Sequence, residues 1–443
     1  MRFIKILFLF LISVSFVSAE GKRIPVRDEK KEVKSTKNDV SLDMVDVLDM
    51  AFKNNPRLRE QWLKVDISKN EYEGAKSRFF PDISGSVGIN RDRTGTNGYS
   101  ASIGLEYLLF DFGGRKARVK SFEYGLEKMQ YDTNSYLRNF TFDVLNAYYT
   151  LLSSMAKESA AREAEISSRE AYKAANTRYK VGLVALTDKL QAETHYNQES
   201  LSYAKAKNTT KINRARLNYL LNLSPESELS LSIPVLDMSN KDDKIDGNIK
   251  NLVESALKNR DDLKSLNLEK EIAKENVWSA RSGRLPSFNV TARYGYDGGF
   301  GGSRSGDDYW TAGVSASMPF FTGGKITSDI ADRKLRLQVV NERMEDLIKN
   351  VELEVYSAYQ NYLTARRTFD TSVVILKSAV ETEKNVFGRY KNGKSSILDL
   401  LTAQTNLANA KSSYIESQYN WFIQRASLMK SLGDISFYEK GEL

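Results

Sequence analysis

Residues 178–188 read Arg178-Tyr-Lys-Val-Gly182-Leu-Val-Ala-Leu-Thr-Asp188, and about 211 positions later the pattern returns as Arg389-Tyr-Lys-Asn-Gly393-Lys-Ser-Ser-Ile-Leu-Asp399. Earlier segments repeat in the same order, since Ala75-Lys-Ser-Arg-Phe-Phe-Pro81 returns as Ala280-Arg-Ser-Gly-Arg-Leu-Pro286. A period this long indicates one large structural unit made twice. Each local interpretation can therefore be checked against its counterpart.

The N-terminus has the features of a secretory signal peptide. Arg2 and Lys5 precede an apolar run over residues 6–17, and Val17-Ser18-Ala19 predicts cleavage after Ala19. The apolar run has about a dozen residues, fewer than the roughly 20 that a transmembrane helix needs. The mature chain is therefore expected to be exported. If it spans a membrane, it does so without apolar helices.

Composition excludes several kinds of site. The chain has no cysteine, which excludes disulfides, a thiol nucleophile and a thiolate metal site. The formal charge is +8, but Lys and Arg are interleaved with Asp and Glu along predicted helices. This pattern favours solvated helix faces over a nucleic-acid site.

Two segments alternate apolar with small or polar residues, which is the period of a β-strand. Residues 83–89 and 99–107 form one such pair, and residues 288–296 and 310–320 form its counterpart. Strands of about ten residues with one apolar face match the wall of a transmembrane β-barrel. Aromatic side chains gather at the strand ends, where an interfacial girdle would lie. The alternative is a soluble hairpin with one buried face, which the aromatic girdles and the signal peptide disfavour.

The remaining sequence is predicted to be helical. Residues 116–177 and 326–388 lack proline and have apolar side chains at helical spacing. A helix of about 60 residues is on the order of 90 Å long, so these helices must pack side by side in an elongated structure. Four strands cannot close a membrane barrel, because known barrels begin at about eight strands. Two, three or four copies would give eight, twelve or sixteen strands.

The duplicated layout, residues 178–188 and the segment Leu398-Asp-Leu-Leu-Thr-Ala-Gln-Thr-Asn-Leu-Ala-Asn-Ala-Lys closely resemble the TolC outer-membrane efflux protein family. The resemblance covers roughly residues 41–433. It implies an α+β, mostly α fold, in which each chain gives four strands to a shared transmembrane β-barrel that continues into a long periplasmic α-helical barrel. It also implies a homotrimer of twelve strands, contact with outer-membrane lipids, a periplasmic adaptor (membrane fusion protein), and a proton-driven (RND) or ATP-driven (ABC) inner-membrane transporter. No cofactor is implied.

The resemblance further implies a gate at the periplasmic end. Asp188 and Tyr390 match the members of one link between chains, and Asp399 matches a member of an acidic ring at the constriction. Ser395 stands where a gate arginine is expected, and Thr402 stands where a second ring aspartate is expected. The turns that would dock the adaptor correspond to Val181, Gly182, Leu183, Asn392, Gly393 and Lys394.

Each gate position also has a local structural interpretation. Ser396-Ile-Leu-Asp399 is a capping box, in which Asp399 would satisfy backbone donors at a helix start. Asp188 would be a first-turn aspartate, and Tyr390, like its counterpart Tyr179, would be a helix-packing aromatic. Gly182 and Gly393 would end the long helices in a left-handed conformation. For Asp399, pore lining and capping are compatible.

Catalytic chemistry has little support. His195 is the only histidine, and because it follows Thr194 on a polar helix, we predict a surface residue. One histidine and no cysteine cannot supply a catalytic triad or a His-rich metal site. Gly323-Gly-Lys325 resembles the end of a phosphate loop, but Ile326 replaces the required Ser or Thr. Its counterpart Gly113-Gly-Arg115 identifies both as strand-to-helix bends.

These predictions divide the chain into two repeats with flanking segments. They are a signal peptide (1–19), a disordered lead-in (20–40), a first repeat (41–223) with a hairpin at 82–112, an equatorial joining segment (224–247), a second repeat (248–433) with a hairpin at 287–322, and a C-terminal tail (434–443). The predicted function is the outer-membrane exit duct of a tripartite efflux or type I secretion system. The alternatives are a non-conducting trimeric surface stalk or adhesin, and a passive porin.

Overall fold

The computed structural model describes residues 41–91, 97–232, 248–300 and 306–434. The predicted signal peptide, the disordered lead-in, the later part of the joining segment and nearly all of the tail lie outside the described residues.

The same order of elements occurs twice: two short helices, a strand hairpin, a 67-residue helix and a helix about half as long. In the first copy these are α1 (Met44–Asn54), α2 (Pro56–Lys76), β1 (Asp82–Arg91), β2 (Asn97–Phe110), α3 (Gly114–Lys180) and α4 (Leu186–Leu220). In the second copy they are α5 (Ile249–Asn259), α6 (Asp261–Ser282), β3 (Ser287–Phe300), β4 (Asp307–Ser317), α7 (Lys325–Lys391) and α8 (Ile397–Leu432). Each 67-residue helix is on the order of 100 Å long. Among the described helices, none combines the length and apolarity needed to cross a membrane.

The two short helices of the first copy begin at residues with the expected capping chemistry. The Asp43 side chain accepts from the Asp46 N–H, and the Asp46 side chain accepts from the Asp43 N–H, which closes a capping box at α1. Asn55 caps α2 through its bond from the Arg57 N–H, and Pro56 occupies the first helical position, where its missing N–H has no cost.

The two hairpins join into one antiparallel sheet of order β1-β2-β3-β4. Ser86 pairs with Ser102, and Ser102 pairs with Gly295, so small and polar residues follow one face across the strands. Val290 and Val314 pair on the opposite, apolar face. The outer edges of β1 and β4 have no partner strand among the described residues.

The second hairpin is shorter than predicted. It was expected to reach residue 322, but β4 ends at Ser317. Met318 and Pro319 follow directly, and proline has no N–H to donate to a strand ladder. The segment that leads into α7 is therefore irregular.

The strand-to-helix bends confirm the predicted role of the two Gly-Gly pairs and correct their alignment. Gly113 (φ 86°) precedes α3 and Gly324 (φ 87°) precedes α7, both in the left-handed region. The residues before them, Phe112 (φ 53°) and Gly323 (φ 61°), also have positive φ. Gly113 is thus equivalent to Gly324 rather than to Gly323. The Gly-Gly pair therefore lies one residue later relative to the bend in the first copy than in the second. At the position before the bend glycine, the first copy has Phe112 with a positive φ, and the second copy has Gly323.

The core lies midway along the helices, where the short helices pack on the long ones. In the first copy Leu48, Val144, Tyr148 and Leu217 are almost fully buried in one cluster. In the second copy the corresponding cluster is formed by a set of aliphatic and tyrosine side chains: Ala256, Val351, Val355, Tyr359 and Leu428. Val144 and Tyr148 match Val355 and Tyr359 at the repeat spacing of 211 residues.

A buried ionic contact connects the two copies. The Arg138 guanidinium of α3 binds the Asp261 carboxylate of α6 at 2.5 Å, and both side chains are largely shielded from solvent. Next to it, Arg260 binds Asp262 at 2.7 Å and Glu354 at 2.6 Å. Burial opposes ionisation of Asp262, but the hydrogen bonds and charge of Arg260 outweigh burial and lower its pKa. The repeats are therefore held together by paired charges as well as by apolar packing.

Candidate functional site at the helix tips

The two long helix pairs turn back through the same hydrogen bonds. Gly182 N–H donates to Tyr179 O (2.9 Å) and Leu183 N–H to Arg178 O (2.9 Å), while the equivalent bonds at the second turn measure 3.0 and 2.8 Å. Gly182 (φ 74°) and Gly393 (φ 70°) are left-handed, as predicted. The repeated sequence thus folds into two equivalent turns, which we call tip 1 (residues 181–183) and tip 2 (residues 392–394).

The tips have different surfaces. At tip 1 the side chains of Val181 and Leu183 are 65% and 74% exposed. At tip 2 the equivalent residues are Asn392 and Lys394, which are also exposed. Tip 1 is therefore apolar, and tip 2 is polar and basic.

The Asp399 carboxylate caps α8. Its Oδ2 accepts from the Ser396 N–H (3.0 Å) and from the Ser395 hydroxyl (2.9 Å), and the Asp399 N–H donates to the Ser396 hydroxyl (3.1 Å). The backbone bond from Ser396, followed by the two serine hydroxyl bonds, lowers the pKa of Asp399. The capping interpretation is confirmed. Because Asp399 is also exposed, its charge remains available to other groups.

Asp188 occupies the equivalent position in α4, in the first turn of that helix. The residue before α4 is Ala185, which has no side chain that could cap the helix. Asp188 is half-buried. The repeat therefore places one carboxylate behind each tip, and only the one behind tip 2 has a complete capping box.

Tyr390 is packed inside the chain, with 4% of its surface exposed. Burial, together with the nearby Asp188 charge, raises the pKa of Tyr390, while the charge of Arg178 opposes that shift. The Tyr390 hydroxyl is buried and has no hydrogen-bond partner among the described residues. The packing interpretation of Tyr390 is confirmed. Its counterpart Tyr179 is instead 38% exposed in the single chain.

Arg178 connects the two tips, which the sequence analysis did not predict. Its Nη2 donates to Tyr390 O (3.2 Å) and Lys391 O (3.3 Å). Its Cζ lies 4.5 Å from the centroid of the Tyr390 ring. The only sequence signal was that arginine begins the motif in both copies, at positions 178 and 389.

Thr402 is exposed and lines a groove of about 610 Å³ between α4 and α8, together with Gln191, Leu398 and His195. His195 was predicted to lie at the surface, and that prediction is wrong, because it is only 8% exposed. Its neighbours Thr194 and Gln198 are exposed, but the His195 side chain itself lies between helices, beside Ser167 of α3 and Gln404 of α8. Among the described residues, no group of three His, Asp or Glu side chains is arranged to hold a metal ion.

Comparisons with known proteins agree with this architecture. The family model described as outer membrane efflux protein matches residues 47–223 and 252–434. The chain is 26% identical over 429 residues to outer membrane protein TolC of Escherichia coli, covering 89% of the chain and 83% of that protein. It is 25% identical to the probable efflux pump outer membrane protein TtgC of Pseudomonas putida, covering 88% of the chain and 82% of that protein.

Solved structures give the same fold. The crystal structure of CusC aligns with a TM-score of 0.78 at 19% identity, covering 89% of this chain and 93% of that chain. The open state of the MtrE outer membrane channel of Neisseria gonorrhoeae aligns with a TM-score of 0.76 at 21% identity, covering 88% of this chain and 89% of that chain.

Proposed function

Because this chain belongs to the outer membrane efflux protein family, we propose that three copies of it assemble into one exit duct that serves an inner-membrane transporter. The protein is an outer-membrane efflux channel with a periplasmic helical part. The proposal adds the number of copies, the partners and the gate.

The proposal that several copies assemble rests on one observation. In the described chain, the edges of β1 and β4 in the four-stranded sheet have no partner strand. An unpaired strand edge in hydrocarbon costs several kcal/mol for each unsatisfied backbone group. Copies of the chain must therefore pair edge to edge. Three copies give twelve strands, the number that the family resemblance implies. The small and polar face of the sheet then lines the water-filled interior.

The helices continue this ring toward the periplasm. Both 67-residue helices begin at the base of the sheet and end at the tips, so the tips form the far end of the tube. We assign the two tips to docking of a periplasmic adaptor, which joins the duct to a proton-driven or ATP-driven transporter. The duct performs no chemistry of its own, and the transporter supplies the energy.

The gate is assigned to Asp188, Tyr390, Ser395, Asp399 and Thr402. The Tyr390 hydroxyl is buried and has no hydrogen-bond partner among the described residues. In the proposed link it turns out of this packed position and donates a hydrogen bond to Asp188 of a neighbouring subunit. Ser395 donates to Asp399 of its own chain and supplies no cation where an arginine is expected. The closed state is therefore held by fewer charged contacts, and one ring of Asp399 carboxylates favours cations over anions.

Single-channel recording in planar bilayers tests the gate. Asp188→Asn and Tyr390→Phe each remove one member of the link and are expected to raise conductance. Tyr179→Phe is the matched control, because Tyr179 is the repeat counterpart of Tyr390 and lies outside the proposed link. Unchanged current in both link variants would reject the link and leave the assembly proposal standing.

A further inference from the structure

The segments where the sheet meets the helices are strongly basic. We define the barrel base as residues 76–82, 106–120, 278–286 and 318–328, which together contain nine Lys or Arg residues and three Asp or Glu residues. This excess contrasts with the near balance of charge over the whole chain, where 65 basic residues face 57 acidic ones. Positive charge is thus concentrated at one level of the protein.

Large aromatic side chains are exposed at the same level. Phe80, Phe320 and Phe321 are 71%, 92% and 90% exposed, which is unfavourable for phenylalanine in water. Aromatic residues at this position mark the boundary between hydrocarbon and headgroups in a membrane protein. The basic residues of the barrel base therefore lie at the depth of the periplasmic headgroups.

The acidic residues of the barrel base offset only part of this charge, since three carboxylates stand against nine basic residues. Asp82 and Glu106 are paired in the register of β1 and β2 on the polar face of the sheet, which faces the interior of the proposed barrel. The carboxylate of Asp111 accepts from the backbone N–H of Arg115 at the start of α3. The three carboxylates thus face inward or cap a helix.

The arginines surround an open cavity. A cavity of about 550 Å³ is lined by Arg78, Arg115 and Arg118, by Phe80 and Leu285, and by the three carboxylates. Arg115 is fixed by bonds from its Nη1 to Arg78 O (3.0 Å) and Leu108 O (2.7 Å). Its guanidinium also stacks on Phe79 and on Tyr107, a residue of the apolar, lipid-facing side of β2.

Other basic side chains at this level are available to bind a ligand. Arg78, Arg118, Arg281 and Lys325 are exposed. None of these four has an ion-pair partner among the described residues. A phosphate diester matches a group of guanidinium and ammonium donors, and acyl chains match the exposed phenylalanines above them.

We propose that the barrel base binds the phosphate groups of anionic phospholipids in the periplasmic leaflet. Each basic residue close to a negatively charged lipid surface strengthens binding about fivefold. Salt screens part of that attraction, so the loss of four such residues is expected to weaken binding by about tenfold or more. The contact would fix the depth of the barrel in the membrane.

The test uses the purified full-length protein in detergent. Retention of phosphatidylglycerol and of phosphatidylcholine is measured by native mass spectrometry, which also reports the number of copies in the assembly. The variant combines Arg78→Gln, Arg118→Gln, Arg281→Gln and Lys325→Gln. The control variant removes the same number of exposed charges from the helical tube through Lys173→Gln, Lys205→Gln, Lys207→Gln and Lys211→Gln.

We expect the wild type and the control to retain phosphatidylglycerol in preference to phosphatidylcholine, and the barrel-base variant to lose that preference by about tenfold. No preference in the wild type, or an equal loss in both variants, would overturn the proposal. If the barrel-base variant does not assemble, lipid retention by the wild type at increasing salt concentration tests the proposal. Its preference for phosphatidylglycerol must then fall as salt is raised, and a preference independent of salt would overturn the proposal.

Discussion

The guanidinium of Arg178 lies over the ring of Tyr390, with Cζ 4.5 Å from the ring centroid, and donates to the carbonyl oxygen of that residue at 3.2 Å. These residues are 212 positions apart in the chain, and each lies in the last turn of a long helix. The contact makes the two tips of one chain a single unit. Opening of the periplasmic end must either move both tips together or break this contact.

Arg178→Ala is expected to shift the gate toward the open state. A cation–π contact together with hydrogen bonds from a charged donor contributes about 1–2 kcal/mol, which corresponds to a change of about 5–30-fold in the ratio of closed to open channels. Single-channel recording should show a higher open probability. Arg389→Ala is the matched control, since the Arg389 guanidinium donates to Lys394 O of its own tip, at 3.4 Å, and makes no hydrogen bond to tip 1 among the described residues. Equal effects of both substitutions would contradict the assignment.

Two substitutions at the start of α8 separate the charge of Asp399 from its capping role. Asp399→Asn keeps an oxygen that can accept from the Ser396 N–H but removes the negative charge, so cation preference should fall while thermal stability changes little. Ser396→Ala keeps the charge and removes a cap, so stability should fall by about 1 kcal/mol while cation preference is kept. Reversal potentials under a salt gradient measure the preference. A loss of preference in Ser396→Ala alone would show that Asp399 does not act through its charge.

Gly295→Ala is expected to disturb the sheet. A Cβ on Gly295 would lie 2.6 Å from the Tyr309 ring, which covers this glycine from the paired strand β4, whereas a Cβ on Gly85 of β1 would contact nothing within 4 Å. The tyrosine ring must move, at a cost of about 1–3 kcal/mol. Heat resistance of the assembled protein on a semi-native gel should fall for Gly295→Ala and stay unchanged for Gly85→Ala. Equal resistance of the two variants would refute this packing.

Asp261→Ala should destabilise the protein far more than a substitution that removes the carboxylate of a solvent-exposed ion pair. It leaves the Arg138 guanidinium, which is 5% exposed, buried without its charge partner, at a cost of about 3–5 kcal/mol. Asp49→Ala is the control, because the Lys53–Asp49 pair is largely exposed and such pairs contribute about 0.5 kcal/mol. Thermal unfolding of both variants measures the difference, and similar melting temperatures would contradict a structural role for the Arg138–Asp261 contact.

His195 should make stability depend on pH. Burial lowers the pKa of His195 below its ordinary value of 6.5, and the charge of Glu199 opposes only part of that shift. Other charged groups, Glu163, Glu383 and Lys411, line an adjoining cavity. The folded chain favours the neutral ring of His195. The contribution of His195 to folding stability is therefore fully present above pH 6.5 and is lost as the pH falls toward the lowered pKa.

The stability of the wild type relative to His195→Gln should therefore shrink between about pH 8 and about pH 5. Thermal unfolding of the two proteins at both pH values gives this difference directly. A difference that is the same at both values would mean that His195 does not titrate in the folded chain.

The sequence was sufficient to predict the duplicated architecture because its signals are local and occur twice. Alternation at every second residue defined the strands, and the glycines of both tips and of both bends marked the turns. The burial of His195 was not predictable from its polar neighbours, because it depends on the packing of α4 against α8. The contact between Arg178 and Tyr390 was not predictable either, because it depends on the packing of two helix ends that are 212 positions apart in the chain. The one-residue shift between the two Gly-Gly pairs was not predictable either, because a positive φ is unusual for phenylalanine and nothing in the sequence around Phe112 indicates it.

Site-directed cross-linking from the tips tests the account most directly. The chain has no cysteine, so Leu183→Cys and Lys394→Cys each place one thiol at a tip, and Lys205→Cys on the side of the tube is the control. After cross-linking in cells, we expect both tip variants to capture a periplasmic adaptor together with an inner-membrane transporter, and the control to capture neither. An ATP-binding transporter would indicate peptide or protein cargo, and a proton-driven pump would indicate small molecules. Recovery of only the protein itself from both tips would contradict the exit-duct account.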